Sequence, residues 1–330
     1  TVKEYHIADD GTPVAVERTT PNLEVRIGAI LSLERIAQDS TTHDKGRDHV
    51  RVMEILCAYI RENAPSSSSK NGPVPRGFSE SLIPEKAKVQ LSTIFNWTES
   101  LSRPRIDIEI ALQVLGRRNV EQIAIERGSL TLSSVGYCLD LSETNLQKAD
   151  LTNGNFDNAN FFRSRLDGAW LTESTFRSSN LIYAELVGAK ASRADFSDAN
   201  LHATDLCGIH AESVTFILPH LSLTHFESSQ ISHCRFVFRT NEKPNSSWLN
   251  RAFFYNVSMT CCEFSGGVSD GIHIDIHPGP DGSYYRVGKS AFRNCKIENR
   301  GFAPVLPFTF GDGSVILPDG TVIADSEREP

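Results

Sequence analysis

Between Leu141 and Phe236 an apolar residue, or alanine, returns at every fifth position. The series opens Leu141, Leu146, Leu151, Phe156, Phe161 and closes Phe226, Ile231, Phe236. Two places before each of these residues the side chain is usually small, as at Ala149, Gly154, Ala159, Ser164 and Ala169. A period of five fits neither the 3.6-residue helix nor the two-residue strand. It marks a structural repeat, which buries its apolar face by stacking on its neighbours.

Upstream the pattern changes. Residues 1–20 alternate around Asp10 and Gly11 and read as a β-hairpin. A helix follows, with Asn22 as N-cap, Glu24 in its first turn and a stripe at Ala29, Ile30, Leu33, Ile36 and Ala37. Residues 40–47 read as polar linker, and Asp48 as the cap of a second helix with Val52, Met53, Leu56, Tyr59 and Ile60 on one face. The pair is similar to one unit of a HEAT-like array. His49 reads as a first-turn residue, since a single histidine has no ligand partner in spacing. The stretch "APSSSSKNGPVPRG" has the composition of a flexible linker. Two further helices are expected in "PEKAKVQLSTIFNWTES" and "RPRIDIEIALQVLGRRN", the latter with Asp107 as cap and Ile110, Val114 and Leu115 on a face.

After Phe236 the period of five is interrupted twice, at Val237 to Arg251 and at Ser265 to Gly288. It returns at Phe254, Met259 and Phe264, and again at Phe292, Ile297 and Phe302. The tail carries Gly-Asp-Gly and Pro-Asp-Gly turns between short apolar runs.

The units "ADLTN", "GNFDN" and "ANFFR" resemble the pentapeptide-repeat family, with its pattern A-(D/N)-L-x-x. The resemblance implies a right-handed quadrilateral β-helix, with one pentapeptide per side and four per coil. Residues twenty apart should then stack. One such column is Phe156, Phe176, Phe196, Phe216 and Phe236, which segregates phenylalanine onto one side. With Leu141, these form the expected structural core. The outward column Asp140, Asn160, Asn180, Asn200 and His220 is expected to form an amide ladder. A second outward column sets Arg165 beside Glu185, read as an exposed pair.

"LEVRIGAILSLERIAQDS", "DHVRVMEIL", "IALQVLGRR" and "LDLSETNL" in this order are similar to a bacterial subgroup of that family. There a small helical domain leads into the β-helix, often behind N-terminal transmembrane segments, which would lie upstream of Thr1. The fold class is therefore mainly β: a pentapeptide-repeat solenoid preceded by a small α-helical domain. The expected division is 1–128 for the hairpin and helices, 129–302 for the β-helix with its insertions, and 303–330 for a β-rich C-terminal cap.

Forty-one acids against 33 bases argue against direct nucleic-acid binding. Nothing approaches the ~18 consecutive apolar residues of a membrane span. Seven scattered cysteines in an odd number, without metal spacing, point to free thiols and a reducing, cytoplasmic setting, at the membrane face if an upstream anchor exists. Cys234, Cys262 and Cys295 fall at the small inward position.

The sharpest candidate chemistry lies in the second insertion. Strict alternation puts His273, Asp275 and His277 on one strand face, a weak divalent-metal candidate, and Ile272, Ile274 and Ile276 on the other. With Tyr284, Tyr285 and Arg286 the isoleucines have residue types enriched at interface hot spots. The histidines at 202, 210, 220, 225 and 233 occupy outward positions and read as surface residues. No phosphate loop, catalytic set or cofactor motif emerges. The expectation is a non-enzymatic scaffold that binds an unidentified protein through its side faces and insertions. The alternative is a DNA-mimic inhibitor of a topoisomerase such as DNA gyrase, as in related quinolone-resistance proteins. Residues 137–240 carry twelve acids and eight bases, too few for an acidic, DNA-like face.

Overall fold

The computed structural model describes residues 2–7, 13–18, 22–73, 91–128, 136–217, 221, 224–226 and 229–238, then 258–260, 263–266, 291–293, 296–297, 315–316 and 322–323. From residue 140 the chain winds as a β-helix solenoid, and as far as Val237 each bridge between successive coils joins residues twenty apart. Asp140 pairs with Asn160, Asn145 with Arg165, Asp150 with Trp170 and Asn155 with Thr175, all parallel. The series continues through strands β3 (His210–Glu212), β4 (Thr215–Ile217), β5 (Gln230–Ser232) and β6 (Arg235–Phe238).

Each five-residue unit makes the same bonds. The central residue donates to the next coil, as Leu141 N to Asn160 O at 2.8 Å. The corner residue two places on donates likewise, as Glu143 N to Phe162 O at 2.8 Å, and Asn160 N returns to Leu139 O at 2.7 Å. A turn bond, such as Ala149 N to Leu146 O at 3.1 Å, closes the corner. The corner residue has positive φ, for example 59° at Tyr183 and at Arg193 and 57° at Asp198. That is the sign a type II turn needs at its third residue. For a residue with a Cβ it costs about 1–2 kcal/mol, so the stacking bonds hold a strained corner every fifth residue.

The central side chains fill the coil. Leu141, Phe176, Phe196, Phe216 and Phe236 are fully buried and Phe156 nearly so. Phe176, Phe196, Phe216 and Phe236 stack with ring centroids 5.1, 5.5 and 4.7 Å apart in turn. Hydroxyls at the small inward position return to backbone carbonyls, as Ser164 Oγ to Phe161 O at 2.8 Å and Thr204 Oγ1 to Leu181 O at 2.8 Å. Their burial is therefore compensated. Cys234 occupies one such position, buried.

Among the described residues, the region before the solenoid holds the hairpin β1 (Val2–Ile7) and β2 (Pro13–Arg18), paired antiparallel, and five α-helices. These are α1 (Leu23–His43), α2 (His49–Asn63), α3 (Leu91–Glu99), α4 (Ile106–Gly116) and α5 (Val120–Gly128). Asn22 caps α1 by accepting from Val25 N at 3.2 Å. Several sequence expectations need correction here. Helix α1 runs through to His43, into the expected linker. Ala29 and Ile36 are exposed, and the inward stripe is Ile30, Leu33, Ala37 and Ser40. Asp48 precedes α2 but gives no side-chain cap; its own N–H donates to Ser40 Oγ at 2.9 Å. Asp107 lies inside α4, not at its cap. It is buried, and accepts from Tyr59 and from both Nε and Nη2 of Arg105. Burial alone would raise its carboxyl, but the bonds from Arg105 and Tyr59 hold it well below the usual range.

Helices α1, α2 and α4 share one hydrophobic core with the solenoid. In later coils the residue before each centre donates to the coil before. The first coil has no coil before it, and Asn145 N donates to Ala64 O at 2.7 Å while Asn155 N donates to Gly116 O at 2.8 Å. Pro65 pairs with Thr144 antiparallel, and Ser66 N reaches Glu143 O at 2.7 Å. The start of the expected flexible linker is therefore a paired segment. A buried network tightens this joint. His49 Nε2 lies 2.9 Å from Glu126 Oε1, Arg118 pairs with the other Glu126 oxygen, and Arg118 Nη2 donates to Asn155 O at 2.9 Å. His49 is the expected first-turn residue of α2, fully buried.

At the far end the register follows the sequence. Ile231 stacks on Met259 and Phe236 on Phe264, then Met259 on Phe292 and Phe264 on Ile297. The stacked residues are 28 and then 33 apart where an uninterrupted coil uses 20. The expected insertion limits are too wide, because Val237 pairs with Ser265 and Phe238 with Gly266 within strands. The strand at Val315–Ile316 adds parallel to Lys296–Ile297, and Val322–Ile323 closes on it antiparallel.

Candidate interaction surfaces

Two sides of the solenoid differ in what covers them. On the side centred on Leu146, Leu166, Leu186 and Leu206, the corner residues are Lys148, Gly168, Gly188 and Gly208. Helix α3 lies across this column. A Cβ built on Gly188 would come 2.7 Å from Thr98 Cγ2, and one on Gly208 2.9 Å from Ile94 Cγ2. Glycine is needed twice here: for the positive φ of 65° and 66°, and for the close approach of the helix. Ile94 and Thr98, one turn apart, face inward and are buried. The C-terminal end of α3 meets Lys148, whose Nζ donates to Glu99 O at 2.9 Å, the end at which a helix favours a cation.

The same side holds a buried ionic cluster. Asp167 is fully buried, 2.7 Å from Arg165 Nη2, and accepts from Gln147 Nε2 at 2.9 Å and Val187 N at 3.1 Å. Burial pushes its carboxyl up to about 6, against the pull of Arg165 and Gln147. Arg165 also reaches Glu185 at 3.0 Å and Ser69 Oγ at 3.1 Å. The Arg165–Glu185 pair is thus no exposed pair, since the residues 69–70 segment closes over it. His225 in the same column is also buried, against expectation.

The adjacent side, centred on Leu141, Phe161, Leu181 and Leu201, carries an aromatic stripe. The Phe162 ring lies 6.0 Å from Tyr183, and Tyr183 6.0 Å from His202, both edge-on. The Arg163 guanidinium stands 4.9 Å over Phe162 and 5.7 Å over Tyr183. Tyr183 is 36% exposed. Beside the stripe runs the expected ladder, Asn160 Nδ2 to Asp140 Oδ1 at 3.1 Å and Asn180 Nδ2 to Asn160 Oδ1 at 2.9 Å.

The metal candidates His273, Asp275 and His277 lie outside the described residues. So do Ile272, Ile274, Ile276, Tyr284, Tyr285 and Arg286. Among the described residues, Cys57, Cys138, Cys207 and Cys234 form no disulfide with one another, and burial pushes Cys57 up to about 12. Glycine recurs at 168, 188 and 208, every twenty residues, and marks the covered side, whereas nothing in the spacing marks Arg165 as buried.

A family model described as pentapeptide repeats matches residues 140–177 and 176–210, in eight copies. Residues 140–210 are pentapeptide repeats. Similar solved structures are also pentapeptide-repeat or quinolone-resistance proteins. One from the Arabidopsis thaliana thylakoid lumen is 25% identical over 33% of this chain and 66% of its own, with a TM-score of 0.22. HetL of the cyanobacterium Nostoc, involved in heterocyst differentiation regulation, is 18% identical over 57% of this chain and 77% of its own, with a TM-score of 0.26. QnrB1, a plasmid-mediated fluoroquinolone resistance protein, is 14% identical over 52% of this chain and 86% of its own, with a TM-score of 0.31. A comparison with curated proteins gives no match. Among the described residues no helix is long and apolar enough to cross a membrane.

Proposed function

We propose that the protein is a non-enzymatic, cytoplasmic interaction scaffold. In this reading residues 129–302 form a right-handed quadrilateral β-helix, 1–128 its helical base and 303–330 its cap. The aromatic stripe of Phe162, Tyr183 and His202 carries the proposal. It sits on rigid, hydrogen-bonded corners, so a partner meets a preformed surface and little ordering entropy is lost on binding. Tyrosine and arginine are the side chains that most often anchor interfaces. The insertion residues Ile272, Ile274, Ile276, Tyr284, Tyr285 and Arg286 extend the same reading.

Charge weighs against a DNA-mimic role. Of the rod's acids, Glu143, Asp167, Glu173, Glu185 and Asp195 each pair with an arginine of the rod. Such pairing leaves little of a continuous acidic face.

The experiment is affinity capture from host lysate with the wild type and with the double variant Phe162→Ser/Tyr183→Ser, beside a gyrase supercoiling assay. A partner retained by the wild type and lost by the folded variant supports the scaffold. Equal recovery removes the stripe from the interface, and stoichiometric inhibition of supercoiling replaces the scaffold reading with the mimic.

A further inference from the structure

Where residues 63–70, the α3–α4 connection and the first coil meet, there is a cavity of about 220 Å³. Three cations, Lys70, Arg103 and Arg105, line it, and no lining residue is acidic. In a chain of net charge −8 this is a local reversal of sign. Arg105 is already engaged, its Nε and Nη2 each 2.7 Å from an Asp107 oxygen. The other two heads are not. Among the described residues the Lys70 ammonium makes no hydrogen bond or ion pair. The Arg103 guanidinium carbon stands 4.3 Å from the centroid of the Trp170 ring, and among the described residues none of its donors is in a hydrogen bond. A guanidinium held against an aromatic ring by cation–π attraction keeps its N–H donors available for an acceptor.

The walls are held from several directions. Gln147 fixes the Lys70 backbone, accepting from its N at 2.9 Å and donating to its O at 2.8 Å. Helix α4 begins at the rim, where Arg105 and, in the first turn, Ile108 line the cavity. Leu101, Pro104 and Ile108 supply an apolar wall. A carboxylate that Arg103 influences, Glu109, is buried and does not line the cavity.

We propose that this cavity binds a small phosphate monoester. Lys70 and Arg103 engage its phosphoryl oxygens and the apolar wall receives the esterified carbons. A dianion with three acceptor oxygens matches two free cationic heads beside a third, engaged one better than a single carboxylate does. The bound ligand would tie the linker, the α3–α4 connection and the first coil together.

The test is isothermal titration of the full chain with inorganic phosphate and, separately, with O-phosphoserine, at constant ionic strength set with chloride. The expected result is saturable one-to-one binding of both probes, with phosphoserine tighter. Lys70→Gln/Arg103→Gln, both exposed positions, should weaken it about tenfold or more, the scale of lost charge-assisted hydrogen bonds. Arg35→Gln, exposed on helix α1, should leave it unchanged. Absence of saturable binding by either probe would overturn the proposal, as would equal affinity in the double variant. Phosphate bound as tightly as phosphoserine would refute the monoester assignment.

Discussion

The glycine column makes a prediction that separates two contributions at one atom. In Gly188→Ala the new Cβ enters a backbone with φ of 65° and comes 2.7 Å from Thr98 Cγ2 and 3.2 Å from Ile94 Cγ2. The conformation alone costs about 1–2 kcal/mol. Overpacking of a fitted contact adds about 1–3 kcal/mol. The total, about 2–5 kcal/mol, is limited by what it costs to lift α3 off the solenoid. Thr98→Ala removes the closest atom, so the double variant should recover the steric part and retain the conformational part. Urea denaturation of the four proteins gives the coupling directly, and we expect about 1 kcal/mol or more in favour of the double variant. Additive effects, within about 0.5 kcal/mol, would mean that α3 does not pack on this column, and the account of the covered side would be wrong.

Phe196→Ala removes a fully buried ring between two stacked neighbours and should cost about 3–5 kcal/mol, whereas Asp198→Ala, exposed two residues on, should cost under about 1 kcal/mol; urea midpoints in the reverse order would refute the register. Asp167 gives a pH signature. Its folded value of about 6 lies above the ordinary 3.8, so the folded chain holds the proton more tightly than the unfolded one. Below about pH 4 the stabilisation that comes from this tightly held proton is fully present. As pH rises to about 6 stability falls, by an amount on the order of 3 kcal/mol at 1.36 kcal/mol per unit. Asp167→Asn should remove that slope from denaturation curves between pH 4 and 6.5, and a slope that persists in the variant would assign it to another group.

The solenoid was legible because one physical demand recurs every five residues, and the twenty-residue columns repeat it five times over. The pairing of Phe236 with Phe264 keeps the same five-residue register across an insertion. The helices were legible as helices but less so in their faces. Ile36 counted as apolar and was assigned inward, yet Ser40 takes the buried place because its hydroxyl has the Asp48 N–H to satisfy. Arg165 shows the limit of periodicity: its position says outward, and the segment of Ser69 and Lys70, 96 and 95 residues away in sequence, makes outward mean buried. The glycines at 168, 188 and 208 were visible at their spacing, but their meaning required α3, a helix that the five-residue pattern does not contain. Of the surfaces, the aromatic stripe joins Phe162 and His202 at one place in the unit with Tyr183 at the next, so no single column displays it.

The carbonyls of Ala64 and Gly116, which receive the first coil's amides, give the solenoid a direction of growth. Every coil is laid down on the one before, and the first is laid down on helices that have no period of five. The helical region is in this sense a primer, and the repeats are an extension whose length is free. Adding or removing twenty residues would change the rod by one step of about 4.8 Å and leave its origin untouched. If the scaffold reading proposed above holds, such a rod would act as a ruler, setting the distance between a partner at its far end and one at its base.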